Sequence, residues 1–111
     1  MSMDFLPTAY SHCINGRISI NNTAATAVRV GTSNLAGRKW LMIMNSSDEP
    51  IYWGSQYLVD GTPTTVTAYV LGRYCQKMAT GDMIWLPVAD TITIYARAHS
   101  GVQNIRIVEL A

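Results

Sequence analysis

The sequence predicts an all-β domain, an antiparallel sandwich or barrel of about seven or eight short strands. Three observations predict it. Apolar residues recur with period two and not 3.6, as in Thr91-Ile92-Thr93-Ile94-Tyr95-Ala96-Arg97-Ala98. Turn residues divide the chain into segments of roughly five to ten residues. The length, 111 residues, is that of one domain.

The elements follow in chain order. Residues 1–12 hold Phe5, Leu6 and Tyr10 without alternation and read as an N-terminal arm, leaving 13–111 as the sandwich domain. The arm has no basic opening and carries Asp4 and Pro7, so it does not read as a secretory signal. Arg17-Ile18-Ser19-Ile20 and Ala27-Val28-Arg29-Val30 alternate and predict strands near 13–20 and 25–32. Trp40-Leu41-Met42-Ile43-Met44 is apolar on both faces and predicts a strand near 38–45. Such a strand is central and covered twice, or it forms part of an interface.

Residues 50–54 carry Tyr52 beside Trp53, so one points in and the other out. Residues 55–72 surround a flexible Asp60-Gly61-Thr62-Pro63 centre and read as a projecting hairpin, with strands near 65–71 and 73–78. Met83-Ile84-Trp85-Leu86 is again apolar on both faces, in a strand near 82–87 whose pairing Pro87 ends. The run 91–98 puts Ile92, Ile94, Ala96 and Ala98 on one face, and a last strand is predicted near 102–110. One of the middle segments is surplus to a count of eight.

Composition removes several function classes. Charged residues are 14% of the chain, against roughly a quarter in an ordinary soluble domain. With 49% apolar residues and three Trp, disorder is excluded. A net charge of +1 does not supply the clustered basic surface that phosphate contacts need, so no nucleic acid is expected as a partner. No apolar run approaches the roughly 18 residues of a membrane span, so the chain reads as soluble and made in a cytosol. Cys13 and Cys75 read as reduced thiols with no disulfide framework, a single bridge between them being the alternative.

Catalytic groups do not converge. His12 stands beside Ser11 and Cys13, but neighbours on a strand point to opposite faces and cannot pair as base and nucleophile. His12, Cys13, Cys75 and His99 lack the close pair that a zinc site shows. Asp48 and Glu49 share a turn, and Asp60, Asp82 and Asp90 all adjoin turn residues. No Gly-rich phosphate loop or Gly-x-Ser-x-Gly is present. No enzyme, cofactor, metal or small-molecule substrate is expected.

The aromatics point elsewhere. Trp40, Trp53 and Trp85 cannot all be interior in one small sandwich. The chain has six Arg against two Lys, six Met and two Glu. Protein interfaces show that same bias, rich in Trp, Tyr, Met and Arg and poor in Lys and Glu. A second reading makes Trp53, near Asp48, a sugar-stacking platform with Tyr57.

The stretches LAGRKWLMIMNSSDEPIYWG and GRYCQKMATGDMIWLPVADTITIYARAHSGVQNIRIVELA carry a layout of short motifs. They are a Gly-Arg-led strand, an Asn-Ser turn, an Ile-Tyr-x-Gly strand, a Gly-Asp turn, an Ile-Tyr-Ala strand and a closing Val-Glu-Leu-Ala. Over roughly 25–111 this layout resembles small virion proteins of tailed bacteriophages. It is most similar to the head decoration (staple or cement) proteins of short-tailed phages of the epsilon-15 type. Residues 55–72 are longer than the layout, and 1–22 have no counterpart in it.

The resemblance implies a β-sandwich of jelly-roll kind, found on the outer surface of the virion. There it would bind major capsid subunits and staple neighbours together, as a homodimer or other homo-oligomer. It carries no catalytic residues over. Phe5, Leu6, Tyr10, Tyr57, Tyr69 and Arg73 are the interface candidates, chosen for their place in the arm and the long middle segment. The alternatives are a carbohydrate-binding sandwich for host adsorption and a head–tail joining protein.

Overall fold

The computed structural model describes residues 12–56, 59 and 76–111. Among them eight strands form: β1 (Cys13–Asn21), β2 (Thr26–Ala27), β3 (Trp40–Met44), β4 (Ile51–Gly54), β5 (Gln76–Met78), β6 (Met83–Leu86), β7 (Tyr95–Ala98) and β8 (Val102–Leu110). They make two four-stranded sheets, in the orders β1-β8-β3-β6 and β2-β7-β4-β5. Every pairing is antiparallel. Every connection except β4 to β5 passes from one sheet to the other. This interleaved order is that of a jelly-roll sandwich, two Greek keys folded together.

Alternation decides which face each strand buries. In the first sheet Ile18, Ile20, Ile105, Ile107, Leu41, Ile43, Ile84 and Leu86 turn inward. In the second sheet Ile51, Trp53, Met78, Ala96 and Ala98 meet them, and Val28 and Val88 close the core. The longest ladder joins β1 to β8 over the full length of both strands, Cys13 opposite Leu110 through Asn21 opposite Val102. His12 and Ala111 exchange backbone bonds of 2.8 and 2.9 Å beyond it, so pairing reaches one residue into the expected arm.

Gly16 sits at an inward position of β1. A Cβ there would stand 3.2 Å from Cγ1 of Val30, a tight contact that would oblige the Val30 side chain to give by a few tenths of an ångström.

Two predicted strands are shorter than their alternation suggests, and both for the same reason. Val28 donates to the carbonyl of Ile94, but the next ladder donor, Val30 N–H, goes to the Glu109 carboxylate instead. β2 therefore stops at Ala27. The run 91–98 becomes a strand only at Tyr95, because the Ile92 carbonyl accepts from Arg38 Nη2 at 2.6 Å. Ile92, expected on the buried face, is 55% exposed. β6 is an edge strand and β3 an inner one, although the two look alike in sequence. The predicted strand near 65–71 lies outside the described residues.

Candidate functional site

Polar residues of the recurring motifs are consumed inside the fold. Arg38, from the Gly-Arg motif, pairs with Glu109, from the closing Val-Glu-Leu-Ala, at 2.8 Å, with both side chains fully buried. The guanidinium also donates to the carbonyls of Val88, Ala89 and Ile92. Glu109 accepts from the backbone N–H groups of Val30 and Leu35. A buried pair is tolerable only when its remaining donors and acceptors are met, and here they are. The pair ties two long loops, 28–39 and 87–94, to β8.

Asn45, from the Asn-Ser turn, has the same role at the other end of β3. It is fully buried, and its Nδ2 donates to the carbonyls of Glu49 and Met78. Its Oδ1 accepts from Ser47 N–H and Oγ–H. Its backbone carbonyl accepts from Gly81 N–H, and its N–H donates to the Asp82 carbonyl. Gly81, at φ +89°, can take the left-handed turn this requires.

A third group joins turns on the second sheet. Tyr52, 5% exposed, places its hydroxyl 3.3 Å from Nδ1 of His99. Ser100 Oγ donates to Glu49 at 2.6 Å. His99 contacts Tyr52 and Ser100 contacts Glu49, so the four do not form a nucleophile–base relay. His12 and His99 lie at opposite ends of the β1–β8 ladder. Among the described residues, no three His, Cys, Asp or Glu side chains stand together as a metal site. Cys13 is an exposed free thiol.

The outward faces of the two sheets differ. On the second sheet, Tyr52 lies between Lys77 and Arg97 in the register. Arg97 donates to the carbonyl of Val59, itself fully buried, so the chain at Val59 lies against this face.

The first sheet presents cross-strand rows. One reads Asn15, Val108, Met42, Trp85; the next reads Arg17, Arg106, Met44, Met83. Trp40 and Leu110 flank them beside Cys13. Met83 is 51% and Trp85 45% exposed. A shallow groove of about 540 Å³ runs between Asn15, Arg17, Met42, Met44, Arg106 and Val108. Beside it a polar hollow of about 290 Å³ is lined by Arg17, Arg106, Asp48 and Asn104, among others.

Of the residues expected at an interface, Phe5, Leu6, Tyr10, Tyr57, Tyr69 and Arg73 all lie outside the described residues, as does Cys75. Trp53 is partly buried and packs against the core, and Tyr57, the other half of the stacking platform, lies outside the described residues. Sequence reasoning missed Met83, Trp85, Arg17 and Arg106 as a group. The signal was present in the two-faced apolar character of Met83-Ile84-Trp85-Leu86, but which strands adjoin it follows only from the sheet order.

Comparison with known proteins finds no matching family model and no significantly similar curated protein or solved structure.

Proposed function

We propose that this chain is a structural virion protein. It binds the outer surface of an assembled phage capsid and staples neighbouring major capsid subunits. The carrying observation is the outward face of the β1-β8-β3-β6 sheet, where Met83 and Trp85 stand 51% and 45% exposed on one edge strand and Arg17 and Arg106 stand exposed across the same face. Large exposed apolar groups next to arginine are the chemistry of a protein contact. The motif layout supplies the class of partner, and the jelly-roll strand order is the kind of fold that layout implies.

The mechanism is linkage. A protein that binds neighbouring subunits only when they are assembled favours the shell over its parts by mass action. A contact on the order of 1,600 Å² per copy suffices for specific binding. Many copies, paired across two-fold positions, reinforce one another on a shell through effective concentration.

The test is the copy number per particle. Purified particles of the phage that encodes the chain are analysed by quantitative mass spectrometry, with external protease digestion to locate it. Hundreds of accessible copies are expected. Absence, an internal position or a ring of a few copies overturns the reading, the last in favour of head–tail joining.

A further inference from the structure

Building on the proposed capsid role, we propose that the outward face of the β1-β8-β3-β6 sheet is the docking surface. Its partner is a folded protein surface that sets carboxylates against Arg17 and Arg106 and apolar side chains against Met44, Met83 and Trp85.

Charge carries the argument. Arg17 and Arg106 are directly opposite on β1 and β8, and both are exposed. Like charges at such a position oppose folding. Neither side chain makes an ion pair or hydrogen bond among the described residues. The fold thus maintains a cationic pair that nothing described on this sheet neutralises. Alternation places no carboxylate on the outward positions of the four strands; Asp48 lines the adjacent hollow with both arginines but makes no ion pair with either among the described residues.

The same count decides among occupants. A second copy docked through this face would set arginines against arginines, which a self-complementary contact disfavours. A nucleic acid would meet two cations and then a row of methionine and tryptophan, with no basic track to follow. An acidic and apolar protein surface satisfies both halves of the face. The scarcity of charge elsewhere leaves this pair as the face's electrostatic signature.

Two arms test the proposal separately from the capsid reading. In the first, the full chain is titrated with poly(Glu,Tyr), an acidic and aromatic polypeptide, while amide shifts are followed by NMR. Shifts are expected to cluster at Arg17, Met44, Met83, Trp85 and Arg106. Binding is expected to weaken at least tenfold in Arg17→Glu/Arg106→Glu, and several-fold in Arg17→Gln/Arg106→Gln, with thermal stability kept. Shifts elsewhere, equal affinity in the variants, or equally tight duplex DNA binding at these residues overturns the proposal. So does concentration-dependent dimerisation through this face.

In the second arm, free protein and particle-bound protein are exposed to hydroxyl radicals. Met83 and Trp85 are expected to be at least fivefold protected on the particle, while buried Met78 reacts in neither. Equal oxidation of Met83 and Trp85 on the particle overturns the docking face and leaves the capsid role standing. A chain absent from particles that still passes the first arm leaves the face standing and removes the capsid role.

Discussion

Glu109 and Arg106 are three residues apart on β8 and have opposite circumstances. Glu109 points inward, where Arg38 and two backbone N–H groups meet every demand of its carboxylate. Arg106 points outward, where its cross-strand neighbour is another arginine. The first region is closed: its polar groups are satisfied within the chain, and it holds loops together. The second is open, with charge and apolar surface both lacking a counterpart among the described residues. The motif residues that carry the phage resemblance belong mostly to the closed region. They specify the fold, and the proposed binding chemistry lies on a face that no short motif marks.

Breaking the closed region has the largest expected effect. Arg38→Met leaves Glu109 as a buried unpaired charge and is expected to cost about 3–5 kcal/mol, measured by urea denaturation. Arg38→Met/Glu109→Leu is expected to recover part of that loss, since no isolated charge remains. Equal loss in both variants would mean that the backbone bonds to the loops matter more than the pair. Asn45→Ala is expected to cost about 1–3 kcal/mol, because the Met78 carbonyl and the Ser47 N–H lose the side chain that meets them, while the Ser47 hydroxyl keeps the Glu49 carbonyl.

The open region responds differently. Trp85→Ala is expected to cost about 1 kcal/mol or less in stability, since the ring is half exposed, while reducing particle occupancy at least tenfold. Smallest in stability, and opposite in sign, is Arg17→Thr. Removing one member of a like-charged cross-strand pair is expected to stabilise the fold by a few tenths of a kcal/mol, on the order of the cross-strand term. A melting temperature that rises while binding falls would show that this face is kept for contact and not for stability.

These differences also show what was legible in the sequence. Period two located most strands, because inward positions such as Ile105 and Ile107 must be apolar whatever the topology. It misplaced Ile92 and overextended β2, because Arg38 and Glu109 draw the Ile92 carbonyl and the Val30 N–H out of the ladders. No local pattern announces that two charged residues 71 positions apart will meet. The proposed docking face was hidden for a related reason. Met83 and Trp85 announce an apolar outer surface, but Arg17 joins them only through the order β1-β8-β3-β6. The candidates chosen from the arm and the middle segment rested on position alone.

The β1–β8 ladder has a consequence in time. It pairs residues 13–21 with 102–110, so nearly the whole chain must be synthesised before its longest pairing can form. Closure of so large a loop makes folding slow, on the order of milliseconds to seconds for sandwiches of this kind. Arg17 comes from the first of these strands and Arg106 from the last. A nascent chain therefore carries one arginine of the pair and not the other. The proposed docking face is complete only once the last strand, β8, is in place.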